Sequence, residues 1–164
     1  MTVAVTFFEI VKFLHVAAVV TAWGVTFAYP VLQRAAERQD PRAVPYFWRT
    51  ATRIGMVIIA PGALLILATG IFMVIDSPAF GFGDLFVTVG MVAIIVLIAF
   101  GPLFFTPAER KLAEAAERDI AASGAGGEVR LGEEYQAASR RYALVGNING
   151  LIVLVAIFFM VVKP

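Results

Sequence analysis

Residues Phe82 to Phe104 read FGDLFVTVGMVAIIVLIAFGPLF, with Asp84 near one end as the sole charged residue. At about 1.5 Å per residue, a helix of this length covers about 30 Å, the hydrocarbon thickness of a bilayer. Three further stretches are long enough to do the same: Phe7 to Tyr29, Ile54 to Ile75 and Tyr142 to Val162. Over 164 residues the chain is 60% hydrophobic and 15% charged, with a mean hydropathy of +0.87, outside the usual soluble range. These features predict an all-α membrane protein: a four-transmembrane-helix bundle forming one domain over residues 1–164, with the lipid bilayer as its main partner.

Several function classes drop out. The chain has no cysteine, which excludes disulfides, thiolate metal sites and cysteine catalysis. No nucleophile and base, phosphate loop or carboxylate dyad suggests hydrolytic or transfer chemistry. The net charge of +1 singles out no partner, and nucleic-acid binding is not expected. The first span lacks a basic leader and a small-residue cleavage pattern, and it carries Glu9 and Lys12, so it reads as a mature helix.

Basic residues near short loops set orientation. The stretch 30–53 holds Arg34, Arg38, Arg42, Arg49 and Arg53; the stretch 105–141 holds Arg110, Lys111, Arg118, Arg130, Arg140 and Arg141; the link from Asp76 to Asp84 holds none. Both basic stretches are expected as cytoplasmic loops of a multi-pass protein of the cell (inner) membrane, with both termini outside the cytoplasm. The second is expected to carry a cytoplasmic helical extension between helices 3 and 4. Thr106-Pro107-Ala108-Glu109 reads as a capping box, Glu114 and Arg118 as a four-residue ion pair, and Ser123-Gly124-Ala125-Gly126-Gly127 as a turn. In the first, Pro41, Pro45, Tyr46, Phe47 and Trp48 among arginines suggest a segment lying in the headgroup region. Arg34 to Arg38 echoes Glu114 to Arg118, and the spacing of Arg53 to Gly62 echoes that of Arg141 to Gly150. A parallel duplication of a two-helix hairpin would leave such echoes, and so would short apolar coincidence.

Ionisable residues inside a span are candidate functional groups. At about 100° per residue, His15, Thr26, Lys12, Trp23 and Glu9 form one stripe expected to face the other helices. Glu9 lies about 3 Å and Lys12 about 7 Å from the start of the span, where they can pair with each other or reach water. His15, about 12 Å in, needs a partner. By level, Thr88 and Met91 of the third span bracket it, while Thr69 falls nearer Lys12. In the fourth span Gly146-Asn147-Ile148-Asn149-Gly150 combines a small-residue motif with two amides, suiting close helix approach, with a Trp23 hydrogen bond to Asn147 or Asn149 expected, or a homodimer through Gly146 and Gly150. Pro61-Gly62 predicts a kink.

The run Glu9-Ile10-Val11-Lys12-Phe13-Leu14-His15-Val16, followed by Trp23-Gly24 and Tyr29-Pro30, resembles the first helix of a group of small four-helix membrane proteins. The group includes the copper-resistance D type, the HemJ-type membrane protoporphyrinogen oxidase and a family of predicted integral membrane proteins of unknown function, number twenty-two sixty-nine. The closing Phe158-Phe159-Met160-Val161-Val162-Lys163-Pro164 is most similar to the last of these. Resemblance to the haem-dependent group implies that His15 would associate with haem b, with Met91 as a conceivable opposite axial ligand. That group carries further histidines and a deeper lysine, which this chain lacks. Copper would want several soft or imidazole ligands, and Met56, Met73, Met91 and Met160 are scattered. The expectation is therefore a small, non-enzymatic integral membrane bundle without cofactor, acting by association or small-solute passage. A haem-binding redox protein using His15, and a proton-coupled carrier using Glu9, Lys12 and His15, are the alternatives.

Overall fold

In the computed structural model, residues 6–124 and 127–163 are described, and no strand occurs among them. Four long helices carry the chain: α1 (Phe7–Gln39), α2 (Pro41–Asp76), α3 (Leu85–Ser123) and α4 (Glu133–Val162). Each is long and apolar enough to cross a bilayer, so this is a multi-pass integral membrane architecture. Thr6 and Glu9 start α1 with a reciprocal capping box. Asp40 ends it by accepting a hydrogen bond from the Arg42 backbone at 3.1 Å, ahead of Pro41, which cannot donate to a continuing helix. Asp84 accepts from the Gly81 backbone at 2.6 Å before α3. Gly124, at φ +70°, supplies the left-handed residue that ends α3.

At 1.5 Å per residue, helices of 33 to 39 residues run well past 30 Å. The stretch 30–53, expected as a loop, is therefore corrected to helix: Tyr29–Gln39 and Val44–Ile54 continue α1 and α2, while Thr106–Ser123, which continues α3, and the start of α4 at Glu133 are helical as expected. All lie at the basic end. The passage from membrane to projection is marked by a 3-10 turn at Val25–Ala28 and by π turns at Gly55–Ile59 and Gly101–Phe105. The π turns adjoin Pro61 and contain Pro102, whose rings cannot sit against the carbonyl four residues back; the extra residue per turn relieves that conflict. They fall in α2 and α3, which are not the helices that the Arg53/Arg141 echo would equate.

Two cores result. In the membrane half α1 packs on α2, α2 on α3, and α3 on α4, around Ala18, Ala22, Trp23, Ala63, Ile66, Ile94 and Val153. The approach of α1 to α2 is closest at Gly62, where an added Cβ would lie 2.7 Å from the Ala22 Cβ. The projections form the second core, in which Trp48, Val44, Tyr135 and Leu112 are fully buried against Ala113, Ala115 and Ala116. Trp48 is thus not a headgroup anchor. Its ring is 0% exposed, because the small alanine face of α3 lets α2 come close enough to cover it; Tyr46, on the other side of the helix, is 76% exposed. The expected Glu114–Arg118 pair is also replaced: Arg118 reaches Glu134 across the hairpin at 2.7 Å, and Arg49 pairs with Glu117. The middle of the glycine-rich turn, at 125–126, lies outside the described residues, as does Pro164.

The Gly62 contact makes a definite prediction. Gly62→Ala should destabilise the bundle by about 1 to 3 kcal/mol, as overpacking does. Adding Ala22→Gly should recover part of that loss, read as the thermal midpoint of helix unfolding in detergent.

Candidate functional site

The polar residues singled out in the first span separate in the structure. The buried face of α1 is Val11, Ala18, Ala22 and Trp23, whereas Glu9 and Lys12 are exposed. Glu9 does not pair with Lys12: its carboxylate accepts from the Thr6 backbone at 2.8 Å and serves the helix cap. Thr26 donates to the Trp23 carbonyl at 2.7 Å. His15 is half-buried, with Nδ1 3.0 Å from the Thr69 hydroxyl and Cε1 facing Gly70. The partner comes from α2 and not from α3 because α1 packs on α2. Thr88, expected to bracket His15, is exposed and donates to the Phe82 carbonyl at 3.2 Å. Met91 is half-buried on α3.

Thr69 also donates its single hydrogen to the Leu65 carbonyl at 2.6 Å, so its oxygen is free to accept from Nδ1 of His15.

On α4 the two amides face opposite ways, as residues two apart on a helix must. Asn149 is buried and its Oδ1 has no partner; Asn147 is exposed. Neither meets the Trp23 indole in a hydrogen bond, contrary to expectation. Gly150 faces Phe27 of α1, with an added Cβ 3.6 Å from its ring, while Gly146 faces open space.

A set that the sequence reading missed lies where the membrane half meets the projections. Glu109 of α3 is 5% exposed. One carboxylate oxygen is 2.8 Å from the Thr52 hydroxyl of α2, the other accepts from the Tyr142 hydroxyl of α4 at 2.8 Å. Tyr29 of α1 packs in the same cluster, and its buried hydroxyl has no partner. Each of the four helices contributes one oxygen-bearing side chain. Trp48 and Phe105 hold Tyr142 edge-on, with ring centroids 4.7 and 5.4 Å away. Thr106 does not cap a helix here, because α3 runs through it without a break; Glu109 is freed from the expected capping box and turned inward. Burial pushes the Glu109 carboxyl above the ordinary carboxylate range, and the hydrogen bonds from Thr52 and Tyr142 oppose that shift. One signal was available in the sequence: Glu109 shares a helical stripe with Leu112, Ala113 and Ala116, which places a carboxylate on an apolar face.

A second polar chain runs outward from Trp48. Its indole donates to the Tyr135 hydroxyl at 3.1 Å, Tyr135 donates to Glu37 at 2.7 Å, and Gln33 bridges Glu37 and Ser139 at 2.8 and 2.7 Å. Burial raises the Tyr135 phenol above its usual range. Among the described residues no group of three or more His, Cys, Asp or Glu is placed to hold a metal.

The family model described as predicted integral membrane protein, domain of unknown function 2269, matches residues 9–164. No curated protein and no solved structure matches the chain.

Thr69→Val should cost about 1 to 3 kcal/mol by leaving the His15 Nδ1–H unpaired, and Thr69→Ser should restore most of it. Ring-nitrogen NMR of histidine-labelled protein should show Nδ1 protonated in the wild type.

Proposed function

The chain belongs to this family of predicted integral membrane proteins, and from that premise we propose that it works by association, as a non-enzymatic bundle pairing with a second copy of itself through the outward face of α4. The observation that carries this reading is Asn147. It is exposed on α4, about 8 Å along the span from Tyr142, where an unsatisfied amide facing hydrocarbon is costly. An amide has both donor and acceptor, so two copies related by a two-fold axis satisfy each other.

The neighbours of Asn147 favour the same geometry. Leu144, Ile148, Leu151, Val155 and Phe158 are all exposed and recur at alternating steps of four and three, the spacing of a helix–helix seam. Lipid covers such a seam as well as a protein does, so apolar burial alone drives nothing. The amide supplies the preference for protein over lipid.

We place the basic projections in the cytoplasm and both termini outside it, in the inner membrane, on the distribution of arginine and lysine. A cysteine at Lys163 should then react with an impermeant maleimide on intact cells, and one at Arg130 only after permeabilisation; the reverse pattern inverts the topology.

Because the chain has no cysteine, single introduced thiols report association cleanly. Leu151→Cys should form oxidised dimers in vesicles, and Leu64→Cys, exposed on α2, should not. Asn147→Leu should reduce the dimer fraction at limiting protein density by about threefold, the equivalent of roughly 0.6 kcal/mol for a hydrogen bond between membrane helices. Equal cross-linking at both positions would refute the assigned face.

A further inference from the structure

Glu109 plays no part in the α4 face or the His15 pair, and it is the buried carboxyl that this fold holds without a counter-cation. No ion pair reaches it among the described residues. The basic side chains of nearby turns are directed elsewhere: Arg49 pairs with Glu117, Arg141 lies over the Phe104 ring, and Arg53, Arg110 and Lys111 are exposed. What faces Glu109 is Tyr29 from α1, Thr52 from α2 and Tyr142 from α4, so the titratable groups around it are two phenols.

The hydroxyl of Thr52 sits between two oxygen acceptors, an arrangement that a proton on the carboxyl would complete. That hydroxyl lies 2.8 Å from Glu109 Oε2 and 3.2 Å from the Trp48 carbonyl oxygen. A hydroxyl has one hydrogen. Both contacts are hydrogen bonds when Glu109 donates from Oε2 to Thr52 and Thr52 donates onward to the carbonyl. Tyr142 then donates to Oε1, which becomes the carbonyl oxygen of the acid. The unpartnered Tyr29 hydroxyl lies buried beside the same carboxyl.

We propose that Glu109, buried between Thr52 and Tyr142 with Tyr29 in the same cluster, forms a proton-binding site that holds one proton at neutral pH and joins α2, α3 and α4 through it. On release the proton passes to water, Thr52 turns its hydrogen from the Trp48 carbonyl to the new carboxylate, and the charge keeps two hydroxyl donors in a buried setting. The site lies just past the π turns of α2 and α3, segments with slack in their hydrogen-bond ladders. Proton loss therefore loosens the projections where the helices are able to shift. A carboxyl raised on folding above its ordinary value of 4.5 stabilises the fold most below that value, and its contribution fades as pH rises through the folded value.

The test is infrared difference spectroscopy of the full chain in detergent, wild type against Glu109→Gln at pH 7. The expected result is a protonated-carboxyl C=O band present in the wild type and absent from the variant. The band should fade as pH rises, in step with a fall in thermal midpoint that the variant lacks. Tyr142→Phe, which removes the donor to Oε1, should move the band to higher frequency, and this serves if Glu109→Gln does not accumulate. A wild-type spectrum with no such band, or a band unmoved in Tyr142→Phe, overturns the proposal. A midpoint that follows sodium concentration at fixed pH in the wild type but not in Glu109→Gln also overturns it, in favour of a bound monovalent cation.

Discussion

The burial of Trp48 is the interaction on which the rest of the structure depends. A large indole on a helix that has left the membrane must find cover, and the cover comes from the alanine face of α3 and from Tyr135 and Tyr142 of α4. Its N–H needs an acceptor once buried, and Tyr135 provides one while passing its own hydrogen to Glu37. One helical turn on, Thr52 is brought against Glu109. Covering one aromatic ring therefore draws all the projections together and sets the position of both polar networks.

The membrane half is organised differently. Lipid solvates apolar side chains as readily as protein does, so its helices are held by close packing at small residues and by a few hydrogen bonds. Ala22 against Gly62 and His15 with Thr69 both join α1 to α2. Each Thr69 contact is local or lies between adjacent helices, and together they orient the His15 ring. On α4, Asn147 is exposed and Asn149 Oδ1 is buried without a partner.

How much was legible varies with the range of the interaction. The four spans, the basic end and the exposure of Tyr46 follow from composition and local periodicity, which each helix carries within itself. The partner of His15 was misjudged twice: counting depth put Thr69 nearer Lys12, whereas it meets His15, and depth does not say which neighbour is adjacent, so Thr88 and Met91 of α3 were named although α1 packs on α2. The capping box at Thr106 failed because α3 continues through it, held by packing of Leu112 and Ala116 against α2. Trp48 among arginines has the composition of an interfacial segment, and only the alanine face opposite shows it to be core.

By itself the sequence determined an integral membrane protein of four apolar helices with the basic residues gathered at one end, since hydrocarbon thickness and backbone hydrogen bonding leave a chain of this hydropathy few alternatives. The tertiary structure decided that the stretch 30–53 is helical and packs with Thr106–Ser123 and the start of α4 into a second core. It also decided that Tyr29, Thr52, Glu109 and Tyr142, separated by long stretches of chain, meet in one place. No local pattern encodes that meeting, because it depends on packing between residues far apart in the chain.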